Sequence, residues 1–223
     1  MYLPKHFVPP DALDALDRIA AHDPFATLVT VSGGEPLATH LPVLYARGGE
    51  RVVLRGHWAR PNAQWRDAPG QTVLAILHGA HAYVSPTWYA DRERRVPTWN
   101  YLAAHLYGRL ELHQSDDAAG RAALRAIVAG LSDAFEAGRE RPWAMRETGA
   151  HAEAMLDGIV GFTFAAERVE VKAKLHAHHP AANRRGVIAG LRAAGGDDAR
   201  AVADWMERTD QERTEPPAIE PPA

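Results

Sequence analysis

Gly56-His57-Trp58-Ala59-Arg60-Pro61-Asn62 is the run in this chain best suited to holding an anion. A strand pattern ends there, and Pro61 suits the first turn of a helix, where a missing N–H is no loss. A helix start presents free N–H groups and partial positive charge, which favour a phosphate. Arg60 would add a bidentate grip. The same residues also describe an ordinary strand-to-helix corner with a solvated arginine. A second group runs from Tyr83-Val84-Ser85-Pro86-Thr87-Trp88-Tyr89 to Val96-Pro97-Thr98-Trp99-Asn100-Tyr101. Its aromatics and prolines make a stiff wall that fits a planar ligand ring, a subunit interface or core packing under a loop. Histidines form a third group: His176, His178 and His179 lie close together, and His78 and His81 form a pair. Neither set has the His-Glu-x-x-His spacing, and no carboxylate sits at ligand spacing in the first. The expectation is therefore exposed histidines and no metal site.

Other chemistries find no support. The chain has no cysteine, which excludes a thiol nucleophile, a disulfide framework and a Cys-bearing zinc site. It has no Gly-x-Ser-x-Gly elbow, Walker loop or dinucleotide fingerprint. Across 223 residues, 25 Lys+Arg against 28 Asp+Glu give a formal net charge of -3, with no global attraction to nucleic acid or anionic membrane. No apolar run is long enough to span a bilayer, and the first ten residues have no signal-peptide core. These features predict a cytoplasmic protein without a membrane partner.

The positioning elements follow from periodicity. Asp11 to Ala21 reads as a helix, and Phe25 to Val31 and Leu37 to Ala46 as a hairpin about Gly33-Gly34. Further strands are expected at Arg51 to His57, Thr72 to Leu77, Ala82 to Ser85, Asn100 to Leu112 and Ile159 to Lys174, with a turn at Gly79-Ala80. Pro61 to Arg66 reads as a short helix, Ser115 as the cap of a long helix, and His151 to Asp157 as another short one. Asn183 to Ala194 and Asp197 to Arg208 form two helices joined by Gly195-Gly196. That pair has the outline of a helix-turn-helix. However, Asp197, Asp198, Asp204 and Glu207 make its second helix a poor reader of DNA, so direct DNA binding is not expected. The tail from 209 to 223, rich in Glu and Pro, reads as disordered. Many short antiparallel strands with peripheral helices predict a mainly β, α+β fold built on a small barrel.

Several separated strings, in order from Met1 to about Arg185, resemble the PaiB family. They are Met1-Tyr2-Leu3-Pro4, Pro24 to Val29, Ala38-Thr39-His40-Leu41-Pro42, Gly56-His57 with Ala59-Arg60 and Asn62, Ser85-Pro86 with Trp88-Tyr89, and Val96 to Tyr101. The resemblance implies an antiparallel FMN-binding split β-barrel related to pyridoxamine-phosphate oxidases, working as a homodimer with FMN between subunits. It implies that Thr39, His40 and Leu41 line the flavin ring, that His57, Ala59, Arg60 and Asn62 lie near the phosphate, and that Thr98, Trp99 and Asn100 close the site. Lys172 and Lys174 are retained. Where the family carries Lys-Leu-Ser-Gln-Asn, this chain has Lys174-Leu175-His176-Ala177-His178. The implied function is a flavin-dependent regulator or sensor of the negative transcriptional regulator type. The alternative on the same scaffold is an oxidoreductase of the oxidase, reductase or haem-degrading type. The expected organisation is a barrel domain over 1–175, a helical extension over 176–208 and the tail. The Trp88, Tyr89 and Trp99 cluster is expected at the dimer interface.

Overall fold

A computed structural model describes residues 1–214. Its elements are α1 (Ala12–His22), β1 (Phe25–Ser32), β2 (Glu35–Pro42), β3 (Leu44–Gly48), β4 (Arg51–Ala59), α2 (Gln64–Asp67), β5 (Val73–Val84), β6 (Thr98–His113), α3 (Ala118–Glu136), α4 (Ala150–Met155), β7 (Ile159–Lys174), α5 (Ala181–Ala194) and α6 (Asp197–Thr214). The strands form one antiparallel sheet in the order β2-β1-β5-β6-β7-β4-β3. The expected split-barrel class with peripheral helices is the observed one. Among the described residues no helix is long and apolar enough to cross a membrane.

By density of internal packing the chain divides into two compact units. One comprises Leu16–His78 and Ala104–Glu170. The other comprises Met1–Ala15, Gly79–Ala103 and the described chain from Val171 on.

In the Leu16–His78 unit, β1 and β2 pair from Phe25↔Pro42 to Ser32↔Glu35. The hairpin closes on Gly33 and Gly34, both at positive φ, the backbone that a tight two-residue turn demands. Residues on the inner face of β4, Val52, Leu54 and Trp58, alternate with more exposed neighbours and are buried. Trp58 meets Phe162 of β7 with ring centroids 4.7 Å apart. Each such side chain contributes about 1.5–3 kcal/mol by leaving water. Helix α3 covers β4 with the buried Leu124, Ile127 and Leu131.

In the other unit, α5 and α6 bury Val187, Leu191, Val202, Ala203 and Met206. Helix α5 lies against Trp88 so closely that only glycine fits at two positions. A Cβ on Gly190 would come within 2.2 Å of the Trp88 ring, and one on Gly186 within 2.0 Å of the Trp88 carbonyl oxygen.

Several sequence expectations are corrected. The strand expected over Leu37 to Ala46 is two: the Val43 N–H donates to Pro24 O at 2.9 Å, and β2 pairs with β1 whereas β3 pairs with β4. Pro42, which lacks an N–H, marks the change of partner. Conversely, the expected turn at Gly79-Ala80 does not occur. β5 runs through it, and the in–out alternation slips by one residue where Gly79 and Ala80 are both buried. Asp117 rather than Ser115 caps α3, its carboxylate accepting from the Gly120 N–H at 2.7 Å. The helix expected from Pro61 starts at Gln64 and makes one turn. Helix α6 continues to Thr214, so 209–214 are helical; the rest of the expected disordered tail lies outside the described residues.

Candidate functional site

Two groups of polar residues emerge, one in each unit. In the Leu16–His78 unit the exposed strand β2 presents Thr39 and His40. The Thr39 hydroxyl accepts from Asn62 Nδ2 at 2.9 Å, and His40 Nδ1 shares a hydrogen bond of 2.9 Å with the Thr27 hydroxyl across the hairpin. Asn62 is itself fixed by the turn it closes, its Oδ1 accepting from the Gln64 N–H at 3.0 Å. Gln64, fully buried, is the hub behind these residues. Its Oε1 accepts from Trp58 Nε1, and its Nε2 donates to the carbonyls of Leu28 and Leu37. Nothing in the sequence pattern singled out Gln64. A buried amide that satisfies three partners is visible only in three dimensions.

The other expected residues of this unit are placed differently. Leu41 is buried, so its side chain belongs to the core. Arg60 is used on the protein: Nε donates to Asp157 O at 2.6 Å, and the two terminal nitrogens reach Gln114 Oε1, Ser115 Oγ and Ile159 O at 3.3, 3.5 and 3.3 Å. A phosphate gripped by Arg60 would require those bonds to be given up. His57 lines a separate hollow of about 250 Å3 with Pro42, Leu131, Phe135 and Trp143. Burial holds its imidazole below the usual range, and its buried Nδ1 has no partner. Ala59 ends β4 exposed.

In the other unit, Thr98 and Lys174 meet. Lys174 Nζ donates to the Thr98 hydroxyl at 2.6 Å and to Trp99 O at 2.8 Å. Lys172, two residues earlier on β7, is buried. Its ammonium donates to Tyr2 O at 3.1 Å and lies 5.3–5.5 Å from the ring centres of Tyr2, Phe7 and Tyr101. That cage suits a cation held for packing. Trp99 is 51% exposed, whereas Asn100 is sealed against α6, its Nδ2 on Met206 Sδ at 3.2 Å. Asn100 therefore does not reach a ligand-facing surface. Of the expected interface aromatics, Trp99 is exposed, but Tyr89 is buried and Trp88 packs on α5.

The expectation of exposed histidines holds for His78, His81 and His178 and is corrected for His176. His176 is 4% exposed, and its Nε2 is paired with the Tyr89 hydroxyl at 2.5 Å. Rings of His6, His178, His179 and His176 follow one another at 4.7, 4.5 and 4.5 Å. Burial first, then the charge of neighbouring histidines, lowers His176 to about 3 and His179 to about 4. His176 and His179 are neutral at pH 7. Their run at Lys174-Leu175-His176-Ala177-His178-His179 was the available signal, but the burial was not.

Comparison with known proteins bears on what these groups serve. Residues 1–168 match the family described as "Putative FMN-binding domain". The chain is 31% identical over 209 residues to the protease synthase and sporulation protein PAI 2 of Bacillus subtilis, covering 93% of this chain and 97% of that protein. It is 28% identical over 178 residues to an uncharacterized protein of Emericella nidulans, covering 68% and 71%. Among solved structures it resembles a conserved hypothetical protein from Mycobacterium tuberculosis, with a TM-score of 0.53, 15% identity and coverage of 81% and 94%. That last likeness speaks to fold alone.

Proposed function

Because this chain belongs to the PaiB family, whose shared region is an FMN-binding domain, we propose that it is a homodimeric FMN-binding protein of the regulator or sensor type. The observation that carries the reading is the match of that domain to residues 1–168, which takes in the whole β1–β2 hairpin and the Asn62 turn. The residues there fit a flavin. β2 offers the Thr39 hydroxyl and the His40 imidazole, and the turn after β4 adds the Asn62 amide, beside exposed apolar surface. An isoalloxazine needs the same pairing, polar groups for its edge and apolar contact for its face. Bound FMN would supply redox chemistry; the chain's own residues would hold and orient it.

A second copy is the proposed partner of the same hairpin. β2 ends the sheet order and is an edge, and Leu37 on it and Phe25 and Val31 on its hairpin partner β1 are 38%, 48% and 52% exposed. An apolar edge of this kind is normally covered, and two-fold pairing covers it with one contact. The regulatory role is proposed to act without direct DNA reading. Three cations of the helix pair are already matched: Arg192 binds Asp204 and Glu207, Arg200 binds Asp197, and Arg184 binds Asp210.

The test is fluorescence titration with FMN and light scattering on the same sample. Saturable FMN binding and a mass about twice the 24.4 kDa chain support the reading. A monomer at micromolar concentration that ignores FMN removes it.

A further inference from the structure

The unit that contains α5 and α6 holds a pocket of about 280 Å3 between the 85–97 loop, the end of β7 and the turn before α5. Its polar wall is Arg94, Arg95, Lys174 and the imidazoles of His176, His178 and His179, with the Thr98 hydroxyl and the Tyr89 ring. Among the described residues no carboxylate lines it. Asp91 is committed elsewhere, accepting from the Arg95 fork and from Asn183 Nδ2. Lys174 donates twice to the protein, which leaves its third N–H. Arg94 makes no side-chain hydrogen bond or ion pair among the described residues and is exposed at the mouth. His176, 96% buried by the 4% it exposes, has an Nδ1 without a partner, and so has His179.

Such a wall repels itself. After burial, the neighbouring imidazoles with Lys174 and Arg95 lower the proton affinity of His176, and His178 with Arg95 lowers that of His179, while the buried Nδ1 atoms of both stay without a partner. An anion reverses both terms. We propose that this pocket binds an oxyanion of the phosphate class, held by Arg94, Arg95 and Lys174, and that binding draws protons onto the histidine cluster.

The groups facing those histidines are few and named. They are His6 from the N-terminal turn, Tyr89, Asp91, Arg94 and Arg95 from the loop, Lys174 from β7, and Arg184 of α5, whose guanidinium bonds His179 O. In the free protein burial and the cations keep the imidazoles neutral. A dianion beside them raises their proton affinity, so the bound state carries more protons than the free state. The sign follows: oxyanion affinity rises as pH falls.

The experiment is calorimetric titration of the full chain with sulfate, which stays dianionic across the range, at pH 8 and pH 5.5 and constant ionic strength. One saturable site per chain is expected, about tenfold tighter at pH 5.5, with proton uptake read from buffers of different ionisation heat. Lys174→Met weakens it about tenfold and the exposed Arg94→Ala about threefold. Melting curves establish that both variants fold. Repeating the titration with flavin separates two sources of the same chemistry. If sulfate binding is unchanged by FMN, the resident is a free oxyanion. If FMN blocks it and riboflavin does not, the resident is the phosphate of the flavin. Both results support an oxyanion pocket, and the sulfate arm reads even in a protein that ignores FMN. Absence of saturable sulfate binding at either pH overturns the proposal, as does binding indifferent to both substitutions.

Discussion

Arg60 and Arg94 have the same side chain and opposite situations. Arg60 lies half-buried at the end of β4, with donors on two carbonyls, an amide oxygen and a hydroxyl of its own unit. Arg94 stands at the mouth of a pocket with no partner among the described residues, beside Arg95 and Lys174. The sequence context of Arg60, between a glycine-bearing strand end and Pro61, made it the better phosphate candidate. The fold uses it as a brace. A cation marks a binding site when its donors are free, and that property is tertiary.

The largest expected effect breaks the brace. Arg60→Ala leaves the carbonyls of Asp157 and Ile159 without their donors, which costs about 2–4 kcal/mol of stability. Arg60→Lys restores little, because a single ammonium cannot replace a fork. Urea unfolding measures both. An Arg60→Ala protein as stable as the parent, with FMN affinity cut ten- to a hundredfold, would return Arg60 to the role of phosphate anchor.

Next in size is a pH effect on the other region. His176 is lowered in the folded protein to about 3 and His179 to about 4, against 6.5 for the free side chain. The unfolded chain therefore binds these protons more tightly, and their contribution is fully present above about pH 6.5. It is lost as pH falls from there towards the folded values. Between pH 7 and pH 5 the parent should lose about 1–2 kcal/mol through His176 alone. His176→Asn should lose correspondingly less over the same range. Equal slopes for parent and variant would show that His176 is not the neutral, buried group described.

The smallest effect is an absence. With Arg192, Arg200 and Arg184 held by acidic partners on or near α6, specific duplex binding should not be detectable in a gel shift at physiological salt. An operator affinity on the order of 10 nM would contradict this.

How much of this was legible in the chain depended on whether the cause was local. β7 was readable over Ile159 to Lys174 because alternation and β-branched residues coincide there. The β1–β2 hairpin was readable because Gly33-Gly34 supplies the turn chemistry. The break at Val43 was not, since it comes from a change of strand partner. The continuity of β5 through Gly79 was hidden for the converse reason, a glycine that does not turn. At the candidate site, Thr39 with Asn62 and Thr98 with Lys174 were each named from sequence, and the structure joins each pair. Asn100 and Leu41 were named too, yet the fold encloses their side chains. The burial of His176 depends on Tyr89, far away in sequence, and no spacing rule carries that information.

The central claim is that this chain is a flavin-binding dimer whose β1–β2 hairpin serves the flavin. Parallel fluorescence titrations of the parent and Asn62→Ala, with light scattering on the same samples, test it most directly. The account predicts saturable FMN binding by a dimer of about twice 24.4 kDa, weakened about fivefold when the Asn62 amide is removed from Thr39. A parent that stays monomeric and binds no FMN, or that binds it as a dimer with affinity untouched by Asn62→Ala, would contradict it.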